Sequence, residues 1–513
     1  ISVNLDDDTG IEAVTLYYAE GGSNSYSSTT MDGSSGSYTG IIPGSSVTQN
    51  GILYYVTAQD PLGFVSMSDT LGASVSFASG TLTTNSASGS AYSTGLPWNA
   101  WRLFSIPAVL DETGLNQVMD ELGTQSNTVW RVFRYDDVSN TYKDNPVDLN
   151  TAQSYWVYQV YEDNLLISTP SGKTGDMSGT EIILKTGWNF IGSPYPFTIP
   201  VALDPVQFYG PITYGISGEA WSPVVSEMDP WNGYLIYNRT SSDQTITLDP
   251  SGGQQAVVAK IVEENGWLMT LEASAGIYSD LHNRIGSLET AEDGIDWRDN
   301  PEISSPGDGV SLFFKNSEDD KNIEITSDIQ SLDSDTKVWD AFIRNQTQSE
   351  VELTWSFTQK MDNDMVLRIM DINTRRLIDP NSVSSLSLGE VSSRYDRGLK
   401  IISGSESQVA TKVAEILALV PEKLTVDGNY PNPFNPTTTI RYGIPEPSDV
   451  RITVVNILGQ EIVELKNGWQ DIGRYEVVWN GQSSNGRPMS SGVYFVMLSN
   501  GKTLEAHKIM LIK

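Results

Sequence analysis

The chain is dominated by short runs in which apolar and polar residues alternate, separated by turn residues. Three such runs near the N-terminus are Val14–Tyr18, Gly36–Ile42 and Ile52–Ala58. The pairs Asp32-Gly33 and Pro43-Gly44 lie between them and favour tight turns. A period of two residues places alternate side chains on opposite faces of a strand. The pattern therefore predicts an all-β protein, built as a tandem array of β-sandwich domains around a central pseudo-repeated β domain.

The first predicted domain covers residues 1–78. Its strand order, with the stretch SYTGIIPGSSVTQNGILYYVTAQDPLG, resembles the fibronectin-type-III-like modules of secreted bacterial proteins, which implies a β-sandwich. Residues 79–97 follow and are rich in Ser, Gly, Thr and Ala. Because they offer few apolar side chains to bury, they are predicted to form a linker.

Residues 98–252 contain two copies of one pattern. Each copy opens with a Trp-containing strand that ends at Pro, in Trp101–Pro107 and Gly187–Pro194. Each copy closes with an aromatic strand, in Ser154–Tyr158 and Asn232–Tyr237. Internal repetition indicates repeated structural units. The prediction is one pseudo-symmetric, aromatic-rich β domain with a single helix over Asp111–Leu122.

The remaining chain divides into three predicted parts. Residues 253–404 are expected to form an acidic β-sandwich of seven or eight strands, the first of them over Val257–Val262. Residues 405–422 are expected to be a helical linker, because apolar residues recur there at intervals of three and four before Pro421. Residues 423–513 form the last domain.

Charge is distributed unevenly along the 513 residues. The chain has 64 acidic and 31 basic residues and a net charge of −33. Residues 1–101 contain eight acids and no Lys or Arg, whereas residues 423–513 contain eight acids and nine bases. A strongly acidic surface repels phosphate, so nucleic acid is not expected as a partner. No apolar run approaches the roughly 20 residues that cross a bilayer, so no transmembrane segment is predicted.

The chain has no cysteine and only two histidines, His282 and His507. Disulfides, thiolate nucleophiles and zinc sites with sulfur ligands are therefore excluded. Triads that need a positioned imidazole are disfavoured, and no motif marks a nucleophile near His282. Glycoside hydrolysis needs only two carboxylates, but several small sandwiches offer no large cleft. The chain is therefore predicted not to be an enzyme, and its acidic, thiol-free composition suits an extracellular protein.

One acidic stretch of the third domain is a candidate calcium site. Calcium prefers six to eight oxygen ligands on flexible backbone, and carboxylates cluster here around a Gly-containing loop. The spacing of an EF-hand is absent, and a solvated acidic loop remains the alternative. No other cofactor is predicted. The candidate ligands are Asp280, Asn283, Asp293, Asp296 and Asp299.

The aromatic residues of the central domain raise a second possibility, glycan binding. Trp and Tyr rings stack on sugar rings, although aromatic residues in strands more often pack in a core. The candidates for an exposed platform are those beside Pro or turn residues: Trp98, Trp221 and Trp231.

The last domain carries the most specific pattern. Strands are predicted in Val450–Gln460, Gly473–Gly481, Ser491–Met497 and Lys508–Lys513. Prolines hold an extended entry segment in front of them. Together these elements predict a seven-stranded immunoglobulin-like sandwich. The entry segment consists of Asn429, Tyr430, Pro431, Asn432, Pro433, Phe434, Asn435 and Pro436.

The motifs of this stretch and their order along the chain resemble the C-terminal sorting domain of the type IX secretion system. That domain is related in fold to the immunoglobulin-like part of flagellar hook-capping proteins. The resemblance spans the whole last domain. It implies export by the secretion machinery to the outer surface of a Gram-negative bacterium or to the extracellular space. It implies nothing about the activity of the rest of the chain.

Three hypotheses for function follow. The first is a secreted, non-catalytic structural protein, such as a filament or surface-layer subunit, with self-association or other surface proteins as contacts. The second is the C-terminal accessory and sorting region of a larger secreted enzyme, such as a peptidase. The third is an adhesin or a glycan-binding protein.

Overall fold

Almost every regular element is a β-strand, which confirms the all-β prediction. The computed structural model describes residues 1–87, 89–124, 128–136, 141–161, 163–215, 220–251, 264–303, 309–316, 323–333, 336–362 and 364–513. The strand predicted over Val257–Val262 lies outside these residues. The chain divides into two compact bodies, one of residues 1–263 with 277–281 and 303–307, the other of 264–276, 282–302 and 308–513.

The N-terminal domain is built from short strands, of which the one over Ala13–Glu20 buries alternate residues. Its strands are β1 (Ser2–Asn4), β2 (Ala13–Glu20), β3 (Ser27–Thr30), β4 (Asp32–Ser34), β5 (Ser37–Thr39), β6 (Ile52–Gln59), β7 (Val65–Met67), β8 (Leu71–Ala73) and β9 (Ser76–Phe77). One sheet has the order β3-β2-β6-β7, with β8 also pairing with β6, and another has the order β1-β5-β4. Leu16, Met31 and Val56 belong to the core of this domain. The fibronectin-III-like assignment stays a prediction.

Residues 79–97 pack into the first body, which corrects the prediction of a linker. Leu82, Tyr92 and Leu96 are buried in the same hydrophobic cluster as Phe104. Leu96 and Leu165 exchange two backbone hydrogen bonds, at 2.7 and 3.1 Å. A few apolar residues among Ser and Gly are enough to pack this segment into the body, because the backbone between them pairs with neighbouring segments.

The middle domain consists of short strands and one short helix. These elements are β10 (Arg102–Ser105), β11 (Val109–Leu110), α1 (Leu115–Val118), β12 (Trp130–Asp136), β13 (Thr141–Asp144), β14 (Ser154–Gln159), β15 (Gly172–Lys173), β16 (Thr180–Leu184), β17 (Gly187–Gly192), β18 (Ile199–Pro200), β19 (Phe208–Ile212), β20 (Glu227–Met228), β21 (Gly233–Asn238) and β22 (Gln244–Leu248). The helix is shorter than predicted, because only Leu115–Val118 is α-helical and no side chain caps its first turn.

The two halves of the middle domain have the same strand order. In the first half, β10, β14 and β12 lie side by side in that order, and in the second half β17, β21 and β19 do so. Hydrogen bonds also match: the Tyr155 hydroxyl accepts from the Asn150 N–H at 2.7 Å. The Tyr234 hydroxyl likewise accepts from the Asp229 N–H, five residues upstream, at 2.6 Å. The two copies in the sequence are thus two similar half-domains.

The half-domains meet through reciprocal contacts. Phe104 at the end of β10 bridges to Asn232 before β21, and Ile191 at the end of β17 bridges to Gln153 before β14. In one bridge the first half-domain contributes the residue near the strand end, and in the other bridge the second half-domain does so. A pseudo-twofold axis therefore relates the two half-domains. The side chains at this axis must be small because backbone pairs with backbone there.

Glycines occupy the second half-domain at the two closest approaches to this axis. A Cβ atom on Gly192 would lie 2.2 Å from the Cβ of Ser105, and one on Gly233 would lie 2.6 Å from the Cβ of Ser154. Real Cβ contacts are never so short, so neither glycine can be replaced without moving the backbone. The Ser105 hydroxyl fills the remaining space and donates to the Asn232 carbonyl at 2.6 Å.

The acidic sandwich belongs to the second body, except that residues 278–281, at the start of one of its strands, are grouped with the first. Its strands are β23 (Gly266–Ala275), β24 (Tyr278–Leu288), β25 (Val310–Asn316), β26 (Ile323–Ile325), β27 (Ser327–Ser331), β28 (Lys337–Asn345), β29 (Glu350–Gln359), β30 (Val366–Asp371), β31 (Arg376–Ile378), β32 (Ser385–Glu390) and β33 (Arg397–Gly404). They form a five-stranded sheet, β27-β24-β23-β29-β32, and a six-stranded sheet, β26-β25-β28-β33-β30-β31. Trp267 and Trp339 are fully buried and meet edge to face, with ring centroids 5.5 Å apart.

Helix α2 (Glu406–Leu419) follows the sandwich, as the apolar spacing predicts. Ser405 caps its first turn in a capping box with Gln408, so the helix begins where the strand ends. None of the helices in the described ranges is long and apolar enough to cross a membrane.

The C-terminal domain is a seven-stranded sandwich, in agreement with the sequence. Its strands are β34 (Thr425–Tyr430), β35 (Thr438–Ile444), β36 (Ser448–Asn456), β37 (Glu461–Gln470), β38 (Gly473–Trp479), β39 (Gly492–Ser499) and β40 (Leu504–Leu511). The sheets have the orders β34-β35-β38 and β37-β36-β39-β40. Ile440, Val454, Trp479 and Val496 belong to the core of this domain.

We expect Gly192→Ala to destabilise the first body by about 1–3 kcal/mol, because the added Cβ collides with Ser105 at the pseudo-twofold axis. The midpoint of urea unfolding measures the effect. Gly44→Ala is the matched control, since a Cβ there meets no atom within 4 Å. Adding Ser105→Gly to Gly192→Ala should restore part of the loss. Equal midpoints for Gly192→Ala and Gly44→Ala would contradict the close contact.

Candidate functional site

Phe434 is the buried anchor of the Pro-rich segment 429–436. Its ring lies against Trp479, with centroids 5.4 Å apart. Its N–H donates to the Met510 carbonyl at 3.0 Å, and its carbonyl accepts from the Ile512 N–H at 2.9 Å. The segment therefore holds the end of the last strand, β40, through both side chain and backbone. We call this arrangement the C-terminal clamp.

The asparagines of the segment support the clamp. The Asn429 side-chain amide donates to the Pro431 carbonyl at 3.1 Å and to the Thr438 hydroxyl at 2.9 Å. The Asn432 side chain accepts from the Met510 N–H at 3.1 Å. Tyr430, by contrast, is 80% exposed. The other exposed members of the segment are Pro431, Asn432, Pro433, Asn435 and Pro436.

Strand β40 forms one edge of its sheet and presents a mixed surface. It pairs with β39, and on its other side the clamp residue Phe434 bridges to Leu511, whereas within the described ranges no strand pairs there with residues 504–509. Leu504, Met510 and Ile512 are exposed large apolar residues on or next to this strand. Lys508 and Lys513 are also exposed. An open strand edge with apolar and basic side chains is suited to pairing with a partner chain.

The C-terminal domain is docked on the acidic sandwich through aromatic and ionic contacts. Tyr395 stacks on Trp469 with ring centroids 4.6 Å apart and an interplanar angle of 20°. The Arg375 guanidinium donates to the Val420 carbonyl at 3.3 Å and also to the Pro421 carbonyl. The connection after α2 is therefore held from the side of the sandwich.

A cavity of about 470 Å³ lies beside this junction. Apolar residues such as Phe342, Ile416 and Leu419 line it, together with several charged groups. Two of these charges are ion-paired: Asp340 contacts Lys400, and Asp396 accepts from Arg344 at 3.0 Å.

A further charged residue in the cavity lining is also ion-paired. Arg474, which lines the cavity, is paired with Asp427 of the same domain. The cavity thus has an apolar wall, and Asp340, Asp396 and Arg474 in its lining are ion-paired within the protein. Asp471 also lines the cavity, and burial, together with the charge of Asp396, raises its pKa.

The carboxylates of the predicted calcium site are engaged by groups of the protein. Asp293 accepts from the Lys337 ammonium at 2.7 Å, and Asp296 accepts from the Arg298 guanidinium at 3.0 Å. Asp299 is buried and accepts from the Ile329 N–H at 2.9 Å. These contacts give each carboxylate a structural role.

The two remaining candidate ligands lie on β24. Asp280 and Asn283 are buried, and neither side-chain atom of Asn283 that can hydrogen bond has a partner. Between them, His282 has a positive φ of 70° and is half-buried. Burial and the nearby Arg284 lower the pKa of His282. In the ranges that the structure describes, no three His or acidic side chains are grouped as a metal site, and calcium binding stays a prediction.

Asp328 is a buried acid that the sequence did not single out. It is 5% exposed on β27, beside the fully paired Asp299. Burial and, after it, the negative charge of Asp299 raise the pKa of Asp328 to about 7. The carboxyl group therefore gains its charge at a cost to the folded protein as the pH rises toward neutral.

The three candidate tryptophans do not form one exposed platform. Trp98 is 51% exposed, but Trp231 is fully buried against Phe104, with ring centroids 5.5 Å apart. Trp221 packs edge to face on Trp156 at 5.7 Å. This corrects the expectation that Trp231 is exposed, because the pseudo-symmetric core needs its ring. Glycan binding at Trp98 stays a prediction.

The sequence missed the contacts that join the last domain to the sandwich. Tyr395 and Trp469 are 74 positions apart, and no local pattern links them. Arg375 lies in a turn whose residues give no sign of its target. One usable signal was the position of Trp469 at the end of a strand, outside the alternating apolar face.

Residues 429–513 match a protein family described as the secretion system C-terminal sorting domain. The match starts at Asn429 and contains the whole C-terminal clamp. The last domain is therefore a type IX secretion sorting domain. The protein is secreted to the cell surface or the extracellular space of Bacteroidetes, which are Gram-negative bacteria. No curated protein matches the chain.

Three solved structures show a weak likeness. Dimeric latent PorU from Porphyromonas gingivalis is 10% identical, and the match covers 91% of this chain and 32% of PorU, with a TM-score of 0.15. PorZ, described as an essential surface component of the type IX secretion system of the same organism, is 12% identical over 91% of this chain and 70% of PorZ, with a TM-score of 0.17. A tetra-tandem repeat from the extending region of a large adhesion protein is 10% identical over 99% of this chain and 93% of the repeat, with a TM-score of 0.14. This chain thus spans about a third of the length of PorU, and scores this low carry no conclusion about function.

We expect Phe434→Ala to lower the free energy of unfolding of the sorting domain by about 3–5 kcal/mol, because it empties the centre of the clamp. Hydrogen exchange should then become faster in β40, which loses its anchor. Tyr430→Ala is the matched control in the same segment and should change stability by less than about 0.5 kcal/mol. If the two variants protect β40 equally, the clamp does not hold the strand.

Asp328 should make the stability of the second body depend on pH. The folded protein keeps a proton on Asp328 that the unfolded chain releases above its ordinary pKa of 3.8. The free energy of unfolding should therefore fall as the pH rises from about 5 to about 8, by up to about 1.4 kcal/mol per unit below pH 7. Asp328→Asn should flatten this dependence, measured by urea unfolding at both pH values. Glu352→Gln, on an exposed position of β29, is the control, and an unchanged slope in Asp328→Asn would refute the assignment.

Proposed function

We propose that this protein is a non-catalytic structural protein of the cell surface or extracellular space, exported through its sorting domain. The observation that carries the proposal is that carboxylates of the acidic sandwich are engaged in hydrogen bonds within the protein. Asp293, Asp296 and Asp299 accept hydrogen bonds from a lysine, an arginine and a backbone N–H, respectively. Groups held in this way stabilise β-sandwiches and are not available to a substrate.

The cavity beside the sorting domain supports the same interpretation. A catalytic acid or base needs a shifted pKa and access to a reacting atom. Of the three acids that line the cavity, Asp340 and Asp396 are neutralised by Lys400 and Arg344. The pKa of the third, Asp471, is raised by burial, but among the described residues no His, Ser or Thr lines the cavity beside it. An apolar wall with internal ion pairs is typical of a packed junction between domains.

The docking of the sorting domain supports a structural role for it after export. The Tyr395–Trp469 stack and the bonds of Arg375 hold the domain and its connection against the sandwich. A segment that is fixed by hydrogen bonds is cleaved slowly by proteases, because cleavage requires local unfolding. We therefore expect the domain to remain part of the mature protein and to contact the secretion machinery through the open edge of β40.

Negative-stain imaging of the native surface material tests the proposal. We expect fibres, layers or elongated particles, since serial β-sandwiches provide length and strand edges for contact. A strain whose copy of the protein ends before Asn429 is the control, and it should lose this material from the surface because export fails. The same preparation is assayed for hydrolysis of peptides and glycans.

Two outcomes would contradict a structural protein. Monodisperse particles that hydrolyse peptides would favour the accessory part of a peptidase. Particles that bind glycans only while Trp98 is intact would favour an adhesin. Calcium enters neither outcome, and the proposed function does not depend on it.

A further inference from the structure

The N-terminal domain exposes a cluster of large apolar side chains on one short stretch. Between positions 62 and 71, five such residues are each more than half exposed. Single exposed apolar residues are common, but a contiguous group marks an interaction surface. We call this group the apolar edge. Its members are Leu62, Phe64, Val65, Met67 and Leu71.

A rigid turn holds the start of the apolar edge in place. The Asp60 carboxylate accepts from the Leu62 N–H at 2.9 Å and from the Phe64 N–H at 2.8 Å. The Asp60 N–H in turn donates to the Phe64 carbonyl at 3.0 Å. Leu62 and Phe64 are therefore presented outward by a fixed backbone. A surface that is already ordered binds a partner with a smaller entropic cost.

The apolar edge lies along an open strand. Strand β7 pairs with β6, and among the described residues no strand pairs along its other side. Proteins usually protect such an edge with Lys, Pro or an inward charge. Residues 62–68 contain no charged residue and no Pro. The unprotected edge therefore offers both apolar side chains and backbone hydrogen-bonding groups.

The apolar edge continues onto the outer face of the sheet. Val65 is opposite Gln59 and Met67 is opposite Thr57 in the ladder, so these four side chains share one face. Two residues further along β6, Tyr55 stacks on Tyr17 with ring centroids 4.8 Å apart. The surface thus joins a strand edge to a pair of aromatic rings.

Charge decides which partner fits. Residues 1–101 contain no Lys or Arg, while Asp60 precedes the apolar edge and Asp69 lies between its members Met67 and Leu71. A second copy of the same face would bring these carboxylates against each other, and the whole chain carries −33. An anionic membrane would be repelled for the same reason. A strand with an apolar face and basic flanks is complementary in both shape and charge.

We propose that the apolar edge is a docking site for an extended strand of another protein, apolar on one face and flanked by Lys or Arg. The strand pairs with β7 and places its apolar side chains on Val65 and Met67, which share one face. The proposal deepens the proposed function, on which it rests, by naming the surface and the class of partner that a structural protein of the cell surface would use.

A peptide probe tests the docking site on the full chain. The probe is a peptide of about ten residues in which valine alternates with lysine and threonine, long enough for one strand. A second peptide carries glutamate in place of lysine, and a third is N-methylated at every second residue, which blocks pairing along one edge. We expect the lysine peptide to bind wild-type protein, and the other two to bind at least about tenfold more weakly, which is about 1.4 kcal/mol.

Variants of the protein separate the docking site from general attraction by charge. Val65→Ser combined with Met67→Ser should weaken binding of the lysine peptide at least about tenfold. Both residues are exposed, so the melting temperature should not change. Ile183→Ser, at another exposed apolar position in a strand of the same body, is the matched control and should bind like wild type.

Four results would overturn the proposal. They are no binding of the lysine peptide to wild type, equal binding to the Val65/Met67 variant, self-association of the chain that this variant abolishes, and binding to phosphatidylcholine vesicles that depends on Val65 and Met67. The last two would assign the surface to a second copy or to a membrane. None of these results bears on the imaging and hydrolysis that test the proposed function, so the two can fail separately.

Discussion

Without cysteine, this protein must hold its successive β domains together by non-covalent contacts alone. Each junction within a body is accordingly a close contact of large rings or of backbone with backbone. In the first body, a Cβ on Gly21 would lie 2.4 Å from the Phe197 ring, so the N-terminal domain touches the middle domain without a gap. In the second body, Trp469 stacks on Tyr395 at the corresponding place between sandwich and sorting domain. Dense packing replaces the covalent cross-links that many secreted proteins use.

Local pattern was enough to predict the elements of the fold. Four of the seven strands of the sorting domain, together with helix α2, follow from alternation, from spacing and from turn residues, all of which act over a few positions. The linker prediction for residues 79–97 failed because Leu82, Tyr92 and Leu96 are sparse in sequence. Their burial depends on strands far along the chain. The Ser- and Gly-rich composition of the whole segment does not reveal three buried apolar residues.

The position of the candidate site could be predicted from the sequence, but the contacts that hold it in place could not. The segment 429–436 stands out in the sequence, yet its contact with β40 follows from the closure of the sandwich. Likewise, Trp231 beside a turn gives no sign that the pseudo-symmetric core requires its ring. The pKa of Asp328 also depends on burial and on Asp299, and neither is visible in its neighbours along the chain.

The reciprocal contact inside the middle domain has a consequence for assembly. Each half-domain pairs with equivalent backbone groups of the other half-domain, as the two subunits of an isologous dimer do. Such an interface closes on itself, because both complementary patches are consumed by one pairing. The middle domain therefore behaves as a dimer fused into one chain, which has completed its own association. Growth of any larger structure must start from surfaces that have no twin within the molecule.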